Sequence, residues 1–200
     1  MNAPRSLNAS KYEATNPVVQ WLLGRFYDRL AEVVAPLAPS SVLDVGCGEG
    51  FALERLGALL PAEVRACDLS ADAVEECRAR VPTADVRVAS VLELPYDDGQ
   101  ADLVICLEVL EHLDDPARGL AELLRVTRRD LVVSVPWEPW FQLGNLARGK
   151  YLQTLGNHPE HVQRWSPEAF RAFLRSRAGS AGIRLHGSFP WTIAHIRLAE

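Results

Sequence analysis

The sequence predicts an α/β fold, an open, doubly wound parallel sheet with helices on both faces. Three observations carry that prediction. Short apolar runs of strand length alternate with segments of helical period from about residue 40 onward. The runs are apolar throughout rather than at every second residue, the pattern of strands covered on both sides. Right-handed crossovers between parallel strands then distribute the helices over the two faces.

The elements follow in order. Asn16-Pro17 is a helix start, a capping side chain followed by proline at the first helical position. Val18, Trp21, Leu22, Phe26, Leu30, Val33 and Val34 recur at helical spacing up to Pro36. Val42–Val45 is a buried strand stopped by Gly46, residues 51–60 are helical, and Val64–Asp68 is the second strand. Ser70 opens a helix that runs to Arg80 and is ended by Pro82. Asp85–Ala89, Leu103–Leu107 and Leu131–Val135 are further strands, with a helix over Pro116–Val126. Ser166-Pro167-Glu168 caps a helix to Arg177, and Ile183–Phe189 and Trp191–Arg197 are two last strands hinged at Pro190.

Composition narrows the function classes. The 200 residues are 48% hydrophobic and 24% charged, too apolar for disorder. They suffice for one domain with its own core. A net charge of −5 argues against a nonspecific nucleic-acid binder. Cys47, Cys67, Cys77 and Cys106 contain no CxxC pair, which excludes zinc-ribbon and thioredoxin motifs. The N-terminus has no apolar run of leader length and nothing later is long enough to span a bilayer, so a cytoplasmic location without membrane insertion is expected.

The first strand ends in Asp44-Val-Gly46-Cys47-Gly48-Glu-Gly50, a turn whose glycines let the backbone approach a ligand at the carboxyl edge of the sheet. The dinucleotide pattern GxGxxG fails: begun at Gly46 it meets Phe51, and begun at Gly48 it meets Leu53. No GK[ST] follows, so a Walker loop fails as well. What remains is an acid followed by GxGxG, with a second acid, Asp68, closing the next strand. An acid there can accept both ribose hydroxyls of an adenosine-containing ligand.

On VLDVGCGEG, CDLS, VASVLELPYDDG and ADLVICLEVLEHLDDP, taken in order, the chain resembles the class I S-adenosylmethionine-dependent methyltransferases over residues 40–135. The resemblance implies a Rossmann-like, mostly parallel seven-stranded sheet of order 3-2-1-4-5-7-6, its seventh strand reversed. It implies S-adenosylmethionine as cofactor and S-adenosylhomocysteine as product. The methionine moiety would lie against Asp44, Gly46, Cys47 and Gly48, the ribose on Asp68, and the adenine near Leu69, Ser90, Val91 and Leu107. Ser90 departs from the acid common at its position, which shifts adenine recognition toward backbone groups.

Glu108, Glu111 and His112 fall at i, i+3 and i+4, one face of a helix if the segment is helical. Such a trio suits Mg²⁺, Mn²⁺ or Zn²⁺ with a fourth ligand from elsewhere. The later HxxH at 158–161 and the W[ST]xxxF pattern at 165–170 make the set similar to the small-RNA 3′-terminal 2′-O-methyltransferases and, more loosely, to the ubiquinone-biosynthesis O-methyltransferases. That resemblance implies Glu108, Glu111, His112 and His161 as metal ligands. Without a metal, His112 is the candidate general base, oriented by Glu111.

Residues 1–200 are thus expected to form one domain. A lid and helix occupy 1–39, a cofactor core 40–135, an acceptor-side cover 136–165, and the last helix and two strands 166–200. The cover is rich in aromatics: Trp137, Trp140, Phe141, Tyr151 and Trp165. The expected activity is O-methylation of a small-molecule hydroxyl on a secondary metabolite, sugar or quinone-like acceptor. The alternatives are an RNA 3′-terminal 2′-O-methyltransferase and a non-catalytic cofactor-binding regulator. The sequence sets no oligomeric state.

Overall fold

The structure, a computed structural model, describes residues 16–140, 142 and 162–199. Its elements are α1 (Pro17–Val34), β1 (Ser41–Val45), α2 (Phe51–Leu56), β2 (Glu63–Asp68), α3 (Ala71–Arg80), β3 (Asp85–Val88), β4 (Ala101–Leu107), α4 (Pro116–Val126), β5 (Thr127–Pro136), α5 (Pro167–Arg177), β6 (Gly182–Ser188) and β7 (Trp191–Arg197). The strands form one sheet of order β3-β2-β1-β4-β5-β7-β6, as expected. β1 pairs in parallel with both β2 and β4, so the strand order reverses at its carboxyl end. Loops leaving β1 and β4 part there and open a crevice, the usual ligand position in such sheets. β7 runs antiparallel to both of its neighbours.

Strand alternation sorts the core into two faces. Val42, Leu103, Ile105, Val132 and Ile193 pack under α1 on Phe26, Leu30 and Val34. Leu43, Val104, Cys106, Leu131, Val133 and Ile196 pack on the other face against Leu120 and Leu123 of α4 and Phe170 and Leu174 of α5. Burial of large apolar side chains on both faces, at roughly 1.5–3 kcal/mol each, is what fixes the sheet.

Four local expectations are corrected. Val18 and Trp21 do not face the core: they are 61% and 59% exposed, and the Arg25 guanidinium lies 5.1 Å over the Trp21 ring. The helix after the glycine turn stops at Leu56 and tightens into a 3₁₀ turn over Gly57–Leu59. β5 begins at Thr127, directly from α4, where the Thr127 hydroxyl donates to the Leu123 carbonyl at 2.6 Å. The EVLEH segment is not a helix. It holds a single 3₁₀ turn, Leu110–His112, and Glu108 before it takes φ +58°.

The aromatic cover divides. Trp165 belongs to the core, packed on Phe170 and Phe173 at 5.5 and 5.3 Å. Trp137 and Trp140 meet Phe189 at 5.9 and 6.2 Å, and Trp140 stays half exposed. Phe141, Tyr151, His158 and His161 lie outside the described residues.

Candidate active site

The crevice between the ends of β1 and β4 is a cleft of about 680 Å³, counted to its open side. Its floor is Asp44, Gly46, Cys47 and Gly48, and its walls include Phe26 and Tyr27 of α1, Leu107 and Glu108 after β4, and Trp191 of β7.

The glycine turn is shaped from both ends. The Gly46 and Cys47 N–H groups both donate to the Cys67 carbonyl, at 2.7 and 3.0 Å, tying the turn to β2. The Gly48 N–H donates to Asp68 Oδ2 at 2.9 Å, while Asp68 Oδ1 accepts from the Ser70 N–H at 2.8 Å. All three glycines have positive φ, but for different reasons. A Cβ on Gly46 would lie 2.3 Å from Val109 Cγ2, and one on Gly50 would lie 2.8 Å from Cys77 Sγ. A Cβ on Gly48 would meet nothing within 4 Å, because that residue faces the open cleft. Packing accounts for the first two, whereas at Gly48 the positive φ alone favours glycine.

Asp44 is 1% exposed, and its Oδ2 has no hydrogen-bond partner. Burial, with the Asp68 carboxylate adding to it, pushes its carboxyl up to about 7. A buried acceptor left unmatched is costly unless a donor or cation completes it. Asp44 therefore fits an ammonium group at the cleft floor, and Gly48 gives the backbone access that such a ligand needs.

Of the other cofactor candidates, Cys47 and Leu107 line the cleft, whereas Asp68, Leu69, Ser90 and Val91 are not among its lining residues. Asp68 is part-buried at the end of β2, and Leu69 beside it is 74% exposed. Ser90 is part-buried and its hydroxyl accepts from the Leu92 N–H at 3.2 Å. Val91 is in the core cluster, and Leu107 lines the cleft. Cys47 also lines it; its buried thiol donates to the Gly48 carbonyl at 3.6 Å, and the neighbouring Cys77 thiol together with burial holds it protonated.

Glu108, Glu111 and His112 separate. Glu108 turns into the cleft wall, where Oε1 accepts from the Ser134 hydroxyl at 2.9 Å and Oε2 from the Trp191 indole N–H at 2.7 Å. Glu111 is buried, and its carbonyl accepts from the Val162 and Gln163 N–H groups, both at 2.9 Å. The His112 ring is 27% exposed, with Nε2 4.0 Å from Glu111 Oε1, and neither residue is among those that line the cleft. Among the described residues no three His, Cys, Asp or Glu side chains are grouped to hold a metal. Glu108, Glu111 and His112 are thus not gathered on one helical face, and the fourth expected ligand, His161, lies outside the described residues.

Sequence reasoning missed Leu23, Phe26, Tyr27 and Trp191 as cleft residues. Their apolar spacing on α1 and β7 reads the same for core as for a ligand wall.

Residues 43–133 match the methyltransferase-domain family. A probable S-adenosylmethionine-dependent methyltransferase of Mycobacterium tuberculosis is 40% identical over 97 residues, covering 48% of this chain and 35% of that protein. The chain thus spans about a third of the length of that relative. A ubiquinone biosynthesis O-methyltransferase of Alkalilimnicola ehrlichii is 32% identical over 170 residues, covering 76% of this chain and 68% of that one. Among solved structures, magnesium protoporphyrin IX methyltransferase of Synechocystis PCC 6803, with bound S-adenosylhomocysteine, shares the fold. Its TM-score is 0.69 at 18% identity, over 98% of this chain and 96% of that chain. Among the described residues no helix is long and apolar enough to cross a membrane.

Proposed function

The chain belongs to the S-adenosylmethionine-dependent methyltransferases, and on that premise we propose that it methylates a hydroxyl of a small-molecule acceptor. The observation that carries this is the cleft floor: a buried, unmatched Asp44 carboxylate beside a glycine whose face is open. Asp44 takes the cofactor's ammonium group, and the Gly48 backbone lies against its methionine portion. Asp68 takes the ribose hydroxyls; each of its oxygens already accepts one backbone N–H and can accept a second hydrogen bond. Leu69, Ser90 and Val91 lie toward the adenine.

When bound, the cofactor supplies an electrophilic methyl group and departs as a neutral thioether. The chain's own work is then alignment, which can lower the barrier by about 7–11 kcal/mol, and removal of the acceptor's proton. We assign proton removal to His112 at Nε2, with the Glu111 carboxylate at 4.0 Å stabilising the imidazolium that results. Support for an oxygen acceptor comes from the relative named as a ubiquinone biosynthesis O-methyltransferase, and the net charge of −5 favours a small acceptor over RNA.

The test is radiolabelled methyl transfer from S-adenosylmethionine to a panel of catechols, phenols and glycosides, with a short single-stranded RNA alongside. Transfer to one of the small hydroxyl compounds is expected, with H112Q lowering kcat about 10²-fold or more while S-adenosylhomocysteine binding is unchanged. Transfer to RNA alone would overturn the acceptor class, and an unaffected H112Q would remove His112 from the reaction.

A further inference from the structure

We propose that the end of the sheet remote from the cleft carries a second binding site, a cationic cavity that takes the phosphoryl or carboxylate group of a small anionic molecule. This site does not rest on the cofactor reading of the cleft.

The cavity lies between the C-terminal part of α1, with the 3₁₀ turn that follows it, and the β6–β7 edge of the sheet. It holds about 590 Å³ of accessible space, within the range of small-ligand sites. It shares no lining residue with the cleft. β7 sets the two apart: Trp191 at one end walls the cleft and Arg197 at the other lines the cavity. That separation is about 20 Å at the rise of a strand.

Strand alternation gathers the charges. Arg184 and His186 of β6 share one face of the sheet with His195 and Arg197 of β7, and Arg184 stands directly opposite His195. Like charges across a strand pair destabilise, and a bound anion offsets that cost. The carboxylates nearby are already engaged. Arg129, Arg197 and His195 meet the fully buried Asp130 carboxylate at 2.7–3.0 Å, and Arg29 meets Glu32 at 2.6 Å. Four arginines thus face two carboxylates.

Two groups lack a partner among the described residues. The Arg184 guanidinium makes no hydrogen bond or ion pair with any of them, and His186 Nε2 is buried without a hydrogen bond. Arg197 meets Asp130 through Nη1 alone, which leaves its Nε and Nη2 donors for a ligand. His186 reports the local potential. Burial pushes its pKa below the usual histidine value, and His195 of β7, Arg29 of α1 and Arg184 lower it further against Glu32. Surroundings that disfavour a proton on His186 favour an anion beside it.

The class of ligand follows from the donors and the wall. A guanidinium presents paired N–H groups that match two oxygens of one phosphate or carboxylate. Val33, Pro36, Leu37 and Ile183 give the rest of the molecule an apolar surface. A concave site in a chain of net charge −5 suits a small anion rather than a polyanion such as RNA.

The experiment is titration calorimetry of the full chain with sodium phosphate and, separately, with sodium citrate, each against sodium chloride of equal ionic strength. Wild type should bind at least one of them saturably, one per chain. Heat from phosphate alone supports a phosphoryl ligand, from citrate alone a polycarboxylate, and from both an oxyanion of either kind. R184A should weaken that binding at least about tenfold, whereas R171A, an exposed arginine of α5 outside the cavity, should change it less than about twofold. S-adenosylhomocysteine binding should be the same in R184A as in wild type. No saturable heat beyond the chloride control, or equal effects of R184A and R171A, would overturn the proposal. Loss of S-adenosylhomocysteine binding in R184A would overturn the independence of the two sites. Should R184A melt early, R184Q is read against the same anions.

Discussion

Replacing Gly46 and Gly48 singly by alanine separates packing from ligand space within one turn. Both residues have positive φ, +77° and +52°, so each alanine carries about 1–2 kcal/mol of backbone strain. At Gly48 that is the whole cost, because the new methyl meets nothing within 4 Å. At Gly46 the methyl lies 2.3 Å from Val109 Cγ2, and overpacking adds about 1–3 kcal/mol. For a chain of this length, about 2–4 °C of melting temperature follows each kcal/mol. G48A should therefore melt about 2–8 °C below wild type and G46A roughly 4–20 °C below. Ligand reverses the ranking of interest. At a hundredfold excess over its Kd, S-adenosylhomocysteine should stabilise wild type by about 2.7 kcal/mol. G48A, whose methyl occupies cofactor space, should lose most of that gain. Differential scanning fluorimetry with and without ligand measures both effects. If G48A gained as much from the ligand as wild type does, the cleft floor would not be the binding surface, and equal melting of the two variants would contradict the packing assignment.

Other expectations follow from the same geometry. With its carboxyl raised from 3.8 to about 7, Asp44 binds more protons folded than unfolded, so unliganded stability should fall as pH rises from about 4 through 7 and level off above. Cofactor affinity should rise over pH 6–8 as Asp44 ionises, and D44N should abolish that rise while flattening the stability slope; an unchanged pH profile of affinity in D44N would refute the ammonium assignment. D68A removes acceptors from the Gly48 and Ser70 N–H groups and should weaken S-adenosylhomocysteine binding at least tenfold by titration calorimetry, whereas exposed D114A should change it by less than twofold. Similar losses in the two would count against a ribose contact. Because Glu108 is engaged by Ser134 and Trp191 and stands apart from Glu111 and His112, Mn²⁺ titration followed by electron paramagnetic resonance should show no saturable stoichiometric site. A one-to-one site would restore the four-ligand reading.

The sheet was legible in the sequence because its central strands are buried on both faces, and predominantly apolar runs such as Val42–Val45 and Leu131–Val135, broken only by Asp44 and Ser134, carry that burial openly. The cleft floor was legible too, since an acid, three close glycines and a second acid one strand later are a local pattern. The walls were not. Phe26 and Trp191 meet at 5.2 Å although 165 residues separate them, and either could equally have been ordinary core. Glu108 was misread for a sharper reason. Its i, i+3, i+4 spacing with Glu111 and His112 has meaning only on a helix, and no local signal announces a glutamate at positive φ. That conformation accompanies bonds to Ser134 and Trp191, on strands far along the chain, so tertiary contacts outweigh local propensity there. Trp165 failed as an acceptor-wall candidate because the ring packs with Phe170 and Phe173 of the following helix.

A crystal structure of the protein grown with S-adenosylhomocysteine tests the central claim most directly. The ligand should occupy the β1–β4 crevice, with its ammonium on Asp44, its ribose on Asp68 and its chain over Gly48. Clear density for the ligand at any other place, or an unfilled crevice at saturating concentration, would contradict it.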